Sequence, residues 1–130
     1  MPHIQIDYSP NLETRLDIAG LCVVLRDAAV ATGVFPLAGV RVRAVRVDHV
    51  VMADGNPDHA YLDIALRIGQ GRDAETRGRA LDAIFAAAEG FVGPAMASSS
   101  LMLSMELREI VAEFSRKSSS IRRYLPGEAK

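Results

Sequence analysis

The chain has 130 residues, of which 49% are hydrophobic and 24% are charged. This length and composition are typical of one globular domain with its own core and exclude a disordered chain. Lys and Arg number 15 against 16 Asp and Glu, so the net charge of −1 lacks the basic surplus expected of a nucleic-acid-binding protein. The single Cys22 cannot form an internal disulfide, and we interpret it as a small buried hydrophobe.

Membrane and export signals are not apparent in the sequence. No apolar run approaches the ~18 residues of a membrane-spanning helix. The start of the chain shows no basic segment followed by an apolar one, as a signal peptide would. We therefore expect a cytoplasmic protein that does not bind a membrane.

The first half of the chain is predicted to fold as strand, helix and strand. Residues 3–8 alternate apolar and polar side chains, which is typical of a half-buried strand. A helix follows and is predicted to end near Gly33. Its apolar face comprises Ile18, Leu21, Cys22, Leu25, Ala28 and Ala29. Residues 40–47 form the second strand, in which the valines move from even to odd positions, and this change predicts a β-bulge near Ala44.

The second half repeats this order at an offset of roughly 58 residues. Residues 61–68 read as a strand, and Asp73 can cap the helix that follows. The apolar face of that helix comprises Leu81, Ile84, Phe85 and Ala88. Two glycines and a proline, Gly90, Gly93 and Pro94, are predicted to end it. Residues 101–108 alternate again and form the fourth strand.

These elements predict an α/β (α+β) fold of two tandem βαβ units, residues 2–52 and 60–110, followed by a tail, residues 111–130. Each right-handed helical crossover makes the strands of its unit parallel, within a four-stranded mixed sheet that carries both helices on one face. The fourth strand places four apolar residues on one face and Met102 on the other, so both sheet faces are expected to carry apolar residues. The open face is then expected to pack on other subunits. The tail from Ser118 on is expected to dock as an edge strand or a helix.

Pro2 is the first candidate for chemistry. Removal of Met1 would leave a free secondary amine, and an α-amino group ordinarily titrates near ~8. Burial and nearby cations lower such a pKa, so the nitrogen could act as a neutral base. The alternative is that a proline after the initiator methionine has no function. If Met1 is retained, the nitrogen is an amide and is not basic.

Arginines are the second candidates. Arg41 and Arg43 share one face of the second strand, and their guanidinium groups suit bidentate recognition of carboxylates. Arg72 follows the third strand, at the end where parallel strands favour ligand sites. The alternatives are a solvated strand face and an ordinary surface arginine. The histidines are scattered without metal-ligand spacing, so no metal site is predicted.

Several stretches together resemble a known family. They are the start MPHI, the run ATGVFPLAGVRVRAVRVD at Ala31–Asp48, and MADG followed by AYLDIALRIGQGRDAETR at Ala60–Arg77. They resemble the 5-carboxymethyl-2-hydroxymuconate delta-isomerase family of the tautomerase superfamily, whose fold is shared with macrophage migration inhibitory factor. The resemblance covers nearly the whole chain and is thinnest over residues 89–100 and beyond Phe114.

The resemblance implies a homotrimeric isomerase that uses no cofactor. Its substrate would be a small di- or tricarboxylate enol, 5-carboxymethyl-2-hydroxymuconate, which is ketonised to the 2-oxo-3-ene isomer in the degradation of homoprotocatechuate from 4-hydroxyphenylacetate. Pro2 matches the catalytic base of the family, and Arg41 and Arg72 look like its substrate-binding arginines. Arg43 and Phe35 lie in the same matching block and are carried over as further candidate contacts.

Two other functions stay open at this point. The chain could be a non-enzymatic trimeric binding protein that keeps the fold. It could also be a related tautomerase or hydratase acting on another unsaturated carboxylic acid. Hydration generally needs an acidic residue that activates water, and Glu106 and Asp63 are the candidates for that role.

Overall fold

The computed structural model of the chain describes residues 2–127 and contains every strand and helix that the sequence predicts. The strands and α-helices are β1 (Pro2–Tyr8), α1 (Ile18–Ala31), β2 (Arg41–Arg46), β3 (Ala60–Gly69), α2 (Ala74–Ser98) and β4 (Leu101–Ile110). Short 3₁₀ helices lie at Pro10–Thr14, Leu37–Gly39, Ala112–Phe114 and Ile121–Tyr124. The predicted caps are also present, because Asp73 accepts a hydrogen bond from the Thr76 amide and Gly33 ends α1 with a φ of 69°.

The four strands form one mixed sheet in the order β2-β1-β3-β4. β1 and β2 are parallel, and so are β3 and β4, as the helical crossovers predict. The two central strands, β1 and β3, are antiparallel. Both helices cover the same face of the sheet, which confirms the predicted fold class.

The core lies between the sheet and the two helices. Alternate residues of β1 and β3 point into it, and α1 contributes Leu21, Leu25 and Ala29. The fully buried aliphatic side chains of the strands are Ile4, Ile6, Leu62, Ile64, Leu66 and Ile68. Cys22 packs partly buried against this core, and burial raises the pKa of its thiol.

The predicted β-bulge near Ala44 is wrong. Residues 41–46 pair one to one with residues 3–8, so no extra residue is inserted. The valines move from even to odd positions because Arg46, and not a valine, occupies the next position on the covered face. There Arg46 forms an ion pair with Glu13 at 3.1 Å. Val45 is left on the open face with 44% of its surface exposed.

The predicted end of α2 is also wrong, since the helix continues through Gly90, Gly93 and Pro94 to Ser98. Its buried face extends past the glycines, with Val92 and Ala95 following Ala88 at helical spacing. Pro94 removes one helical N–H and would ordinarily disrupt the helix by about 3 kcal/mol. Tertiary packing of this stripe overrides the local signals.

α2 is also the one helix within residues 2–127 that is long and apolar enough to cross a bilayer, with 25 residues and a mean hydropathy of 1.3 over an 18-residue window. The core helix of a globular domain passes the same test. Of that window 22% is buried, and the buried stripe of α2 contacts α1 and β4.

The open face of the sheet carries apolar residues as expected, among them Val45 and Met102, but most of its side chains are polar. Met102 is exposed on this face, but its neighbours along β4 are Ser104, Glu106 and Arg108. Of the edge strand or helix expected in the tail, residues 111–127 form no strand but contain short 3₁₀ helices at Ala112–Phe114 and Ile121–Tyr124. Residues 128–130 lie outside the described part.

Candidate functional site

A large open cavity lies at one end of the open face. Its volume is about 1230 Å³, and the starts of β1 and β2, the end of β3 and the segment after β4 line it. The sheet contributes His3, Arg41 and Arg67 to its wall. The segment after β4 adds four more cations, Arg116, Lys117, Arg122 and Arg123. The carboxylate of Glu109 also lines the cavity but is ion-paired with Arg77 at 3.1 Å, and cationic side chains outnumber carboxylates among the described lining residues.

The register of the strands explains why the basic side chains of the sheet lie next to one another. His3 pairs with Arg41 on β2 and with Arg67 on β3, and Arg67 pairs with Arg108 on β4. Side chains of directly opposed residues lie on the same face and within about 5 Å at Cβ. We call Arg41, His3, Arg67 and Arg108 the basic row.

The surroundings of His3 hold its imidazole neutral. Burial, followed by the positive charges of Arg41, Arg67 and Arg43, lowers its pKa from 6.5 to about 4. Its Nδ1 atom is buried and has no hydrogen-bond partner within residues 2–127. Buried polar atoms without partners are uncommon in native proteins and are often found at functional sites.

Pro2 is the first residue of β1, a position that a proline tolerates because it needs no ladder N–H there. It lies opposite Ile68 and next to His3 in the chain. Its ring is fully buried on the helix-covered face and does not itself line the cavity. The structure therefore places Pro2 at the edge of the cavity, beside the basic row.

Arg72 is held by the loops around it. Its guanidinium donates to the carbonyls of Gly69 at 3.1 Å and Val34 at 3.2 Å, and it lies 5.1 Å from the centroid of the Phe35 ring. The Phe35 side chain is 8% exposed, so it supports Arg72 and has little surface for a ligand. These two carbonyls use two of the five guanidinium N–H donors. Arg72 is thus positioned one turn beyond β3 but is not part of the cavity wall.

The other predicted polar residues lie further along the open face. Arg43 donates two hydrogen bonds to Gln5 Oε1, at 3.1 and 2.6 Å. Glu106 accepts from Arg108 at 2.8 Å, and Asp63 accepts from Ser104 at 2.7 Å. None of Arg43, Glu106 and Asp63 lines the cavity.

A hydrogen-bonded chain of Ser100, His59 and Asp54 lies outside this cavity. The His59 imidazole contacts Ser100 Oγ at 2.6 Å through Nδ1 and Asp54 Oδ1 at 2.7 Å through Nε2. The Asp54 side chain is 75% exposed, so water competes for its carboxylate. We interpret this chain as a tie between the turn before β3 and the start of β4.

Sequence reasoning missed Arg67 and the cations of the segment after β4. The alternation of β3 places Arg67 on the face opposite Leu66 and Ile68, but only the register of β1 against β3 shows that it lies beside His3. The cations of the tail carry no periodic signal. Within residues 2–127 no group of three or more His, Cys, Asp or Glu residues could hold a metal ion.

Comparison with known proteins shows the family to which the chain belongs. The sequence model of a family described as 5-carboxymethyl-2-hydroxymuconate isomerase matches residues 2–125. The 5-carboxymethyl-2-hydroxymuconate Delta-isomerase of Escherichia coli is 36% identical over 121 residues, covering 93% of this chain and 96% of that protein.

Two solved structures agree over almost the whole chain. A crystal structure of a 5-carboxymethyl-2-hydroxymuconate delta-isomerase has a TM-score of 0.90 at 28% identity, covering 99% of this chain and 96% of the other. A crystal structure of a 5-carboxymethyl-2-hydroxymuconate isomerase from Deinococcus radiodurans R1 has a TM-score of 0.87 at 32% identity, covering 95% and 94%. The family match, the shared fold and the N-terminal proline beside a basic cavity lead to one conclusion: the chain belongs to the 5-carboxymethyl-2-hydroxymuconate isomerase family of the tautomerase superfamily.

Proposed function

We propose that this chain is a cofactor-independent isomerase that ketonises 5-carboxymethyl-2-hydroxymuconate or a closely similar carboxylated dienol. The observation that carries the proposal is the position of Pro2 at the head of β1, next to a cavity whose wall includes His3, Arg41 and Arg67. The relatives named as isomerases of this substrate support the same reaction.

The proposed base is the Pro2 nitrogen after removal of Met1. The same surroundings that lower the pKa of His3 to about 4 disfavour a protonated amine one residue away. An α-amino group ordinarily has a pKa near ~8, so a modest further lowering leaves it neutral at pH 7. A neutral nitrogen can then accept a proton without a second acid or base.

The reaction moves one proton along a conjugated system. The Pro2 nitrogen takes the proton from the 2-hydroxyl, the C2–O bond becomes a carbonyl, and the C2–C3 double bond moves to C3–C4. The electron pair of the C4–C5 double bond takes up a proton at C5 from the protonated nitrogen, which gives the 2-oxo-3-ene product. Positive charge from Arg41 stabilises the dienolate between the two transfers.

Arg41 and Arg72 are proposed as substrate-binding residues, as the family resemblance implies. Arg41 lines the cavity directly. Arg72 would contact a substrate through donors not used by the Gly69 and Val34 carbonyls. We propose Arg43 and Phe35 as supporting residues, because Arg43 bonds to Gln5 and Phe35 lies under Arg72.

The test is a ketonisation assay by ultraviolet absorbance with the wild-type protein and Pro2→Ala. We expect Pro2→Ala to lower kcat by about 10²–10⁴-fold, the usual contribution of a positioned general base. The Ala variant keeps a terminal amine but loses the ring that fixes its position. Activity within a few fold of wild type would reject the assignment of Pro2 as the base.

The assay also separates the alternative functions. A non-enzymatic binding protein would bind acidic enols and turn none of them over. A hydratase would consume unsaturated acids with uptake of water, but the candidate acids Glu106 and Asp63 are bonded to Arg108 and Ser104 outside the cavity. Their positions favour isomerisation.

We further propose that the protein is a cytoplasmic homotrimer in the catabolism of homoprotocatechuate. Both outer strands of the sheet, β2 and β4, have unpaired edges within residues 2–127, and exposed strand edges commonly pair with another chain. Three exposed apolar residues, Met102 in β4 and Val111 and Phe114 after it, support a subunit interface at this side of the sheet. Sedimentation of the native protein at three chain masses would agree with a trimer.

A further inference from the structure

We propose that Arg67 is a substrate-binding residue, which pairs with Arg41 across His3 to hold the two ends of a dicarboxylate. The inference rests on the proposed function for the identity of the substrate, but its geometry stands on the basic row alone. Arg67 is absent from the family-derived candidates Arg41 and Arg72.

The Arg67 side chain is not engaged by other described residues of the chain. It lines the cavity, and within residues 2–127 it has no hydrogen bond, ion pair or ring contact. The next arginine of the row, Arg108, is already paired with Glu106 at 2.8 Å and does not line the cavity. Arg67 therefore faces the cavity with its donors available for a ligand.

Arg67 lies directly opposite Arg108 on β4, and directly opposed like charges destabilise a sheet. Within residues 2–127 no carboxylate is ion-paired with Arg67 to balance its charge. An anionic ligand would supply that balance, which is the common reason for clustered cations in a concave site.

Arg41 and Arg67 are spaced by the sheet and held on rigid strands. β2 and β3 are separated only by β1, so the backbones at Arg41 and Arg67 are about 10 Å apart, twice the usual strand separation. Two long arginine side chains can reach inward from this distance to the ends of one short dicarboxylate. Both stand on sheet strands, which position a ligand better than the irregular segment that carries Lys117 and Arg123.

The experiment uses two ligands that differ by one carboxylate. trans,trans-Muconate and sorbate share a six-carbon diene, but only muconate has a second carboxylate. Calorimetry with wild-type protein is expected to show tighter binding of muconate. Arg67→Gln is expected to weaken muconate binding by about 10- to 100-fold, the value of a charge-assisted pair, and to change sorbate binding by less than about twofold.

Arg108→Gln is the matched control, because it removes a cation from the same row outside the cavity. It should leave the binding of both ligands unchanged. Equal weakening of muconate and sorbate in Arg67→Gln, equal effects of the two variants, or no preference of the wild type for muconate would overturn the proposal.

A turnover measurement connects this subsite to the reaction. Arg67→Gln should raise KM for the carboxylated dienol by about 10-fold or more, with kcat within a few fold of wild type. If Arg67→Gln were active with an unchanged KM, the binding role of Arg67 would be contradicted, but the proposed reaction would not. A wild-type protein that binds muconate but turns over no dienol would contradict the proposed reaction and leave the subsite supported.

Discussion

At the scale of the residue, His3 is a neutral imidazole surrounded by arginines at the wall of the cavity. His3 has a pKa of about 4 because burial and three nearby guanidinium groups disfavour its charged form. The sequence could predict Arg41 and Arg43 as one face of a strand, since alternation alone decides that. The proximity of Arg67 to His3 could not be predicted, because it depends on the pairing of two strands about 60 positions apart.

The shifted pKa of His3 predicts a particular dependence of stability on pH. Between pH 6.5 and about 4 the unfolded chain binds a proton at His3 and the folded chain does not. The free energy of unfolding should therefore fall as the pH decreases through this window, and the loss should level off below about pH 4. Urea denaturation at a series of pH values measures it.

His3→Gln is the control for this pH dependence, because carboxylates also titrate near the lower end of the window. The difference in unfolding free energy between wild type and variant should grow in favour of the variant as the pH falls. Parallel curves for the two proteins would show that the imidazole is not held neutral in the folded state.

At the scale of the element, local signals set the starts of helices better than their ends. Asp17 and Asp73 cap α1 and α2, and an acidic residue before an apolar periodic run is a readable signal. The C-terminal part of α2 was predicted wrongly because Gly90, Gly93 and Pro94 suggest a stop. Burial of Val92 and Ala95 against the rest of the fold decides the outcome, and that contact is invisible in a single sequence.

Two helical glycines give opposite predictions. A Cβ on Gly20 would lie 2.5 Å from Asp17 Oδ2 and 3.2 Å from Phe91 Cζ, so it would displace the carboxylate that caps α1. A Cβ on Gly78 in α2 would meet no atom within 4 Å. We expect Gly78→Ala to stabilise the fold by about 0.5–1 kcal/mol, the usual helix-propensity gain.

Gly20→Ala should instead destabilise the protein by about 1 kcal/mol, the typical value of a lost N-cap, despite its better helix propensity. The comparison is made by chemical denaturation of both variants at one protein concentration, because stability of an oligomer depends on concentration. If both variants gained stability alike, the contact of Gly20 with the cap and with α2 would not constrain the fold.

At the scale of the whole molecule, charge is sorted along the open face. Arg41, His3 and Arg67 of the basic row line the cavity, whereas two residue pairs further along β1 and β3 the same face carries Asp7 and Asp63. This gradient directs an acidic ligand to the end of the sheet where Pro2 begins β1. Composition could not reveal the gradient, because a net charge of −1 hides the separation. The fold class followed from the repeated strand–helix–strand pattern, but the polar character of the open face did not.

The central claim is that an unblocked Pro2 nitrogen is the base, and processing of Met1 tests it most directly. Protein that retains Met1, produced with methionine aminopeptidase inhibited and verified by intact mass, is assayed for dienol ketonisation before and after treatment with the purified aminopeptidase. An amide nitrogen is not basic, so we expect activity to be at least about 10²-fold lower before treatment and to appear as Met1 is removed. Equal activity before and after removal would contradict the account.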